Sequence, residues 1–188
     1  MTLQPAGTVV DYTITYLEME ERPSYDWPHL PPSAQVSLLH AEEAPVWFFL
    51  SLYDAVGRDY AWEDIHQREH EDIERWLTGD QMSLFVLYGQ GWPQGFFLLE
   101  EHGAGVVDLA YFGLVPEAVG RGLGTWLLRT AILTAWDRAG ISKLTVNTCT
   151  LDHHRALQTY QKNGFTPVRR EDKSRTLTRD RDLSRIPS

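Results

Sequence analysis

The chain has 188 residues, 43% of them hydrophobic, which fits one globular domain and excludes a disordered chain. Its net charge of −9 argues against a nucleic-acid partner. The N-terminus shows no signal-peptide pattern, and no apolar run approaches the roughly 20 residues that span a bilayer, so no membrane association is expected. The single cysteine, Cys149, cannot form an internal disulfide, which favours a cytoplasmic protein.

Strand and helix patterns alternate along the chain. Short runs rich in β-branched and aromatic residues predict strands at 8–19, 36–40, 82–88, 95–100, 105–115, 142–149 and 165–170. Apolar periodicity predicts helices at 45–56, 64–77, 122–139 and 152–163. A proline-rich connector covers 22–34, and the mixed-charge residues from 171 are expected to fray. This order predicts an α/β fold with a mixed central sheet.

Three alternating glycines, Gly120, Gly122 and Gly124, stand where a predicted strand meets a predicted helix. Glycine tolerates positive φ and lets backbone approach a ligand closely. The free N–H groups of a helix start, together with the helix dipole, favour an anion there. A P-loop would need Lys-Ser/Thr after the last glycine, and a dinucleotide fingerprint would need G-x-G-x-x-G; neither is present. The pattern still predicts a turn that holds a phosphate.

Two segments resemble motifs of the GNAT superfamily of N-acyltransferases, in particular the small bacterial acetyltransferases. The string Val115-Pro116-Glu117…Gly120-Arg121-Gly122-Leu123-Gly124 resembles the superfamily's acetyl-CoA pyrophosphate loop. Residues 152–165, DHHRALQTYQKNGF, resemble its N-x-x-A-x-x-x-Y-x-x-x-G-F segment. The resemblance covers roughly residues 35–172. It departs from the pattern at Val119, which replaces the usual Gln or Arg, and at His153, which replaces the usual Asn.

The resemblance implies a GNAT domain at 35–172 whose mixed sheet splays into a V, with acetyl-CoA in the cleft. Residues 1–34 would be an N-terminal strand extension and connector outside this core, adding an edge strand or capping the acceptor site, and 173–188 a flexible tail. The residues implied to bind the cofactor come from the end of the central strand, the glycine turn and the last helix. They are Phe112, Gly113, Leu114, Val119, Gly120, Arg121, Gly122, Leu123, Gly124, Thr125, His153, Ala156 and Tyr160.

Acetyl transfer to an amine requires a held donor, a polarised carbonyl, a proton acceptor and a proton donor for the leaving thiolate. Tyr160 stands where the superfamily often places its general acid. Asp108 stands four residues before Phe112, and this even spacing predicts one shared strand face. Related enzymes often place a Glu there, so Asp108 is the candidate base, acting through a water. His153 and His154 remain alternatives.

Acidic residues concentrate in the first half of the chain, where residues 1–80 hold 16 Asp/Glu against 4 Arg. The remainder holds 10 Asp/Glu against 13 Lys/Arg. This distribution favours a cationic amine acceptor, small molecule or peptide, with ordinary solubility as the alternative. Aromatic faces and carboxylates together suit an ammonium group. The candidate acceptor-binding residues are Trp47, Tyr53, Asp59, Trp62 and Glu63.

One metal pattern occurs, His66-Gln67-Arg68-Glu69-His70, which matches H-x-x-E-H. No third ligand follows it, so no metal is expected. The sequence therefore predicts an acetyl-CoA-dependent N-acetyltransferase that acts on a primary amine by direct attack, and a homodimer is compatible with it. The alternative is a non-catalytic acyl-CoA-binding sensor or interaction protein of the same fold.

Overall fold

The computed structural model describes residues 2–32 and 34–187. The strands are β1 Leu3–Gln4, β2 Val9–Met19, β3 Val36–His40, β4 Met82–Gly89, β5 Trp92–Gly103, β6 Val106–Leu114, β7 Lys143–Cys149, β8 Thr166–Thr176 and β9 Arg181–Asp182. The helices are α1 Val46–Gly57, α2 His70–Leu77, α3 Leu123–Trp136 and α4 Ala156–Lys162. Seven strands form one mixed sheet in the order β3-β4-β5-β6-β7-β2-β8, and β1 pairs with β9. The predicted mixed α/β fold is confirmed.

Helices cover both faces of the sheet, so its central strands are buried on both sides. On β5, Phe97 and Leu99 pack into a core with α3 and α4, whereas Phe96 and Leu98 pack against α1 and α2. All four side chains have no exposed surface. Successive strand residues point to opposite faces, which explains why β5 reads as a continuous apolar run.

The sheet opens between β6 and β7. These two parallel strands pair only over Val106–Asp108 and Lys143–Thr145. Beyond that point the two strands are not paired with each other among the described residues. They diverge as the two arms of the predicted V, with a gap between them. Strand β6 therefore keeps β5 as a partner on one edge and leaves its other edge open from Leu109 to Leu114.

The N-terminal strand β2 lies inside the sheet. It runs antiparallel to both β7 and β8 and buries Leu17 and Met19 in the core beside α3. The expectation of an edge strand outside the domain core is therefore wrong, whereas Tyr12 and Ile14 of this strand do line the cavity. Its alternating residues predict a strand, but its partners lie more than 120 residues away, where pattern alone gives no pairing.

The C-terminal residues also differ from expectation. Strand β8 extends to Thr176, Leu177 is almost fully buried, and Arg181 of β9 is buried beneath the loop that follows α1. These contacts contradict the flexible tail expected at 173–188 as far as residue 187, and residue 188 lies outside the described residues. No helix among the described residues is long and apolar enough to cross a membrane.

The predicted helix 64–77 is broken. A 3₁₀ turn spans Ile65–Gln67, extended backbone follows at Arg68 and Glu69, and α2 begins at His70. His66 and His70 consequently do not share one helix, and His66 Nε2 lies 2.8 Å from Asp54 Oδ1. No cluster of three potential metal ligands occurs among the described residues.

Candidate active site

A cavity of about 650 Å³ fills the opening between β6 and β7. Its wall comes from the open end of β6, the glycine turn, the end of β7, α4 and the residues after α1. Twelve residues predicted from the sequence meet there: Trp62, Phe112, Gly113, Leu114, Val119, Gly120, Gly122, Gly124, Thr125, His153, Ala156 and Tyr160. Predicted site residues outside the wall are Trp47, Tyr53, Asp59, Glu63, Asp108, Arg121 and Leu123.

The glycine turn has the geometry of an anion site. Gly120 and Gly122 adopt positive φ values of 84° and 77°, and α3 starts at Leu123 with no side-chain cap on its first N–H groups. A Cβ built on Gly120 meets no atom within 4 Å, so open space adjoins the backbone. Leu123 is buried in the core, so only its backbone can contribute, whereas the Arg121 side chain is exposed beside the turn. The turn therefore fits a pyrophosphate held by main-chain N–H groups.

The open edge of β6 presents backbone groups to the cavity. The Val115 N–H donates to the Gln94 carbonyl at 3.0 Å, towards β5. Because successive N–H groups of a strand point to opposite edges, the Leu114 N–H points into the cleft. A Cβ on Gly113 would approach Val56 Cγ1 of α1 to 2.3 Å, so glycine is required for α1 to pack here. This edge can pair with an extended amide-containing ligand as an added strand would.

Tyr160 projects from α4 to the cavity wall. Its ring packs edge-on against Phe112 and Phe165, with centroids at 6.3 and 5.8 Å. Burial raises the pKa of its phenol well above the usual value, and the charges of Asp152 and Asp108 raise it further. Among the described residues, its hydroxyl has no hydrogen-bond partner. The phenol is thus protonated throughout the neutral pH range and is available as a proton donor.

Asp108 lies at the vertex of the V, where the pairing of β6 with β7 ends. The Thr145 hydroxyl donates a hydrogen bond to its carboxylate. Burial raises the pKa of Asp108, and the Thr145 hydrogen bond and nearby His102 oppose that rise. The carboxyl group is not part of the cavity wall.

A β-bulge corrects the expectation that Asp108 and Phe112 share a face. The register with β5 shifts between Leu109 and Tyr111, so Ala110 is an extra residue. One extra residue inverts the alternation beyond it. Phe112 accordingly packs towards α4, on the face opposite to that of Asp108, and Tyr111 packs towards α1.

His153 stands in the loop before α4 and stacks on His154 with ring centroids 4.5 Å apart. Its Nδ1 accepts a hydrogen bond from the Arg155 N–H at 3.1 Å. Burial lowers the pKa of His153, and the neighbouring His154 and Arg155 lower it further. The imidazole is therefore neutral at pH 7 where it borders the cavity.

The acidic residues predicted to bind the acceptor anchor the C-terminal segment instead. Asp59 Oδ1 accepts a hydrogen bond from the Asp182 N–H at 3.1 Å, and Glu63 accepts one from the Thr178 N–H at 3.1 Å. Both side chains are buried. Their burial beneath residues 177–187 removes them from the cavity, contrary to the sequence-based assignment.

The predicted aromatic residues separate into three environments. Trp62 lines the cavity, whereas Tyr53 lies fully buried behind it with ring centroids 5.5 Å apart. Trp47 is 69% exposed on the outer side of α1 and does not reach the cavity. Only Trp62 of the three can contact a ligand in the cleft.

Sequence reasoning assigned no role to several residues of the cavity wall, among them Tyr12 and Asp152. Asp152 directly precedes His153 in the second motif, which is the one signal that pointed to it. Cys149 also lines the cavity, and burial together with the charge of Asp152 raises the pKa of its thiol to about 12. The thiol consequently stays protonated and is not a nucleophile.

The splayed sheet, the uncapped glycine turn and the buried phenol meet at one cavity. The acetyltransferase (GNAT) family model matches residues 47–165, and the chain belongs to this family. The family's acyl donor is acetyl-CoA. No curated protein matches the chain.

Solved structures of GNAT proteins share the fold at low sequence identity. A GCN5-related N-acetyltransferase from Sphaerobacter thermophilus is 18% identical with a TM-score of 0.57, over 97% of this chain and 55% of that one. A tandem GNAT protein of the clavulanic acid biosynthesis pathway is 14% identical with a TM-score of 0.61, over 88% and 53%. An aminoglycoside acetyltransferase from an uncultured soil metagenomic sample is 13% identical with a TM-score of 0.55, over 68% and 86%. The chain spans little more than half the length of the first two.

Proposed function

We propose that the chain is an acetyl-CoA-dependent N-acetyltransferase that moves an acetyl group to a primary, cationic amine by direct attack. The observation that carries the proposal is that the glycine turn, the open edge of β6 and Tyr160 border one cavity of about 650 Å³. Such a volume accommodates an extended thioester arm and a small acceptor. A cytoplasmic location accompanies the proposal, since Cys149 is a free thiol.

The backbone carries donor binding in this proposal. The N–H groups of Gly120–Thr125 hold the pyrophosphate, and the open edge of β6 at Phe112–Leu114 pairs with the pantetheine. The N–H of Leu114 donates to the thioester carbonyl, where negative charge develops during attack. Acetyl-CoA supplies the activated acyl group. His153 and Ala156 border the arm from the α4 side.

Proton transfer falls to two side chains. The amine nitrogen forms the new C–N bond, the C–S bond breaks, and its electron pair stays on sulfur, which takes the proton of the Tyr160 hydroxyl. Before attack, the acceptor ammonium gives one proton through a water to Asp108, which frees the nitrogen lone pair. After attack, the second proton lost by nitrogen restores the Tyr160 phenol. The neutral phenol and the raised carboxyl pKa support these roles.

The second candidate is an acyl-CoA-binding protein without turnover, supported by Val119. An apolar side chain lines the turn at this position, so it donates no hydrogen bond to the pyrophosphate. The two functions differ in one measurable property, which is release of free thiol in the presence of an amine.

The test is a thiol-release assay with acetyl-CoA and a panel of primary amines, combined with calorimetry of CoA binding. Replacement of Tyr160 by Phe should lower kcat about 100-fold and leave CoA affinity unchanged, because only the transferable proton is lost. The matched control is Tyr111→Phe, another buried phenol on the cavity wall, which should retain activity. CoA binding without thiol release from any amine would favour the second candidate. Unchanged kcat in Tyr160→Phe would remove its role as the acid.

A further inference from the structure

Asp152 holds a fixed carboxylate on the cavity wall, in the loop between β7 and α4. Its Oδ2 accepts hydrogen bonds from the Thr148 hydroxyl at 2.7 Å and the Cys149 N–H at 2.8 Å. Its Oδ1 accepts one from Trp62 Nε1 at 3.2 Å. Two donors from β7 and one from the loop that follows α1 therefore orient the group. Since each carboxylate oxygen has two lone pairs, Oδ1 retains acceptor capacity.

This carboxylate is not ion-paired. Within the described residues, no cationic side chain lies within 4.0 Å of Asp152. The neighbouring guanidinium of Arg181 donates instead to the carbonyls of Asp59 and Leu151, at 2.7 and 2.8 Å. By contrast Asp64, the other acidic residue of the cavity wall, lies 2.6 Å from Arg175. Asp152 is thus the cavity acid whose charge is left for a ligand.

Aromatic side chains surround this charge. Trp62, Tyr60 and Tyr12 line the same cavity as Asp152, as do Val56 and Ala61. Burial raises the pKa of Tyr60 to about 12, with a contribution from the charge of Asp152. The same charge also acts on Tyr160, so the carboxylate lies near the phenol that the proposed reaction uses. Aromatic faces next to a carboxylate favour an ammonium ion.

We propose that Asp152 binds the ammonium group of the acceptor, with Trp62 and Tyr60 as aromatic walls, and that the acceptor is a monoamine carried on an apolar or aromatic group. The apolar lining accommodates such a group. Arg155, Lys173 and Arg175 also line the cavity, and these three cations disfavour an acceptor with a second ammonium group, such as a polyamine. The inference rests on the proposed function only for the fate of the bound amine, since binding is measurable without transfer.

The first experiment follows the indole N–H resonance of Trp62 in the ¹⁵N-labelled chain, assigned by its loss in Trp62→Phe. The probes are 2-phenylethylamine, its neutral counterpart 2-phenylethanol, and the diamine putrescine. We expect a saturable shift with 2-phenylethylamine and at least about tenfold weaker binding of the other two, since a desolvated ion pair exceeds a neutral hydrogen bond. Equal affinity for the amine and the alcohol, or no shift with the amine, would overturn the proposal.

The second experiment repeats the titration with Asp152→Asn and, as the matched control, Asp64→Asn. Each substitution removes one negative charge from the same cavity wall, but Asp64 is already paired with Arg175. We expect Asp152→Asn to weaken amine binding about tenfold or more and Asp64→Asn to change it less than about threefold. Equal weakening in the two variants would mean that the amine responds only to the total negative charge of the cavity. That result would contradict direct contact between Asp152 and the ammonium group. The comparison of amine with alcohol in the unsubstituted chain decides the question if Asp152→Asn fails to fold.

Failure of this inference is separable from failure of the transferase proposal. Thiol release with 2-phenylethylamine at an unchanged KM in Asp152→Asn would reject Asp152 as the ammonium site and leave the transferase intact. Selective binding of the amine without thiol release from any amine would support Asp152 as the ammonium site and reject the transferase proposal.

Discussion

The two halves of the cleft are built in different ways. The proposed donor half consists of the end of β6, the glycine turn and the start of α4, which belong to two short stretches, 112–125 and 153–160. The proposed acceptor half consists of Asp152 and of residues 54–64, which the C-terminal segment 177–187 holds in place. Its contacts link residues that are far apart in sequence: Asp54 with Arg179, separated by 125 positions, and Asp59 with Asp182, separated by 123.

This contrast explains why Asp59 and Glu63, which the sequence predicted to bind the acceptor, instead hold the C-terminal segment in place. In the donor half the proposed binding groups are backbone N–H groups, and glycine spacing indicates backbone geometry directly. In the acceptor half the proposed binding groups are side chains. Their direction depends on the C-terminal segment 177–187, which lies more than 100 residues away in sequence. Glu63 illustrates the difference, because its carboxylate is occupied by the Thr178 N–H and is not available to a substrate.

The largest expected effect tests the donor half. Gly122→Glu places a carboxylate and added bulk at a turn with φ of +77°, where the proposed pyrophosphate lies. Like-charge repulsion and steric exclusion should weaken CoA binding by at least about 3 kcal/mol. Calorimetry of CoA binding measures this loss directly.

Gly140→Glu is the control for backbone strain. Gly140 has φ of +76° with no atom within 4 Å of a built Cβ, and it lies outside the cavity wall. Both variants therefore carry a similar conformational cost, but only the first should lose CoA. If both bind CoA equally well, the pyrophosphate does not lie at this turn.

Sequence reasoning succeeded where short-range geometry determines the structure. The positive φ of the glycine turn is such a local property. Tyr160 is far from the turn in sequence, and only the resemblance of the two motifs to the superfamily predicted that both would line one cavity. The insertion of β2 between β7 and β8 could not be predicted, because alternation identifies a strand and not its neighbours. The bulge at Ala110 was equally hidden, since Leu109-Ala110-Tyr111 has no residue that demands an irregular strand.

A smaller effect tests how the acceptor half is held. The buried guanidinium of Arg181 donates to the carbonyls of Asp59 and Leu151, so Arg181→Met leaves both without a partner. We expect the free energy of unfolding to fall by about 2 kcal/mol, the usual cost of unsatisfied buried polar groups. Amine KM should rise while CoA affinity stays within about twofold, because donor binding uses other elements.

Arg185→Met is the matched control, since this half-exposed arginine contacts the same Asp59 at 3.3 Å. An exposed pair contributes at most about 1 kcal/mol, so the control should be nearly as stable as the parent. Denaturant unfolding of both variants gives the comparison. Equal loss of CoA and amine binding in Arg181→Met would show that the two halves are not independently supported.

The smallest expected effect concerns Asp108, at the vertex where the halves meet. Burial raises its carboxyl pKa in the folded chain, so folding favours the protonated form, and the associated stability is lost as pH rises through the folded pKa. Asp108→Asn cannot ionise, and its amide oxygen can still accept the hydrogen bond from Thr145. The variant should therefore gain stability relative to the parent as pH rises from about 4 to 8, by an amount on the order of 1 kcal/mol.

Kinetics of the same variant separate a base from a buried structural acid. A base must be ionised, so the parent's kcat/KM should fall as pH drops through the raised pKa of Asp108, and Asp108→Asn should lose that acid limb together with most of the rate. Thr145→Val is the control: it removes the hydrogen bond that lowers this pKa, and should shift the acid limb to higher pH without abolishing activity. If Asp108→Asn gains stability with pH and retains the parent's pH–rate profile, Asp108 is a structural residue of the vertex, and the proton passes from the amine to solvent by another route.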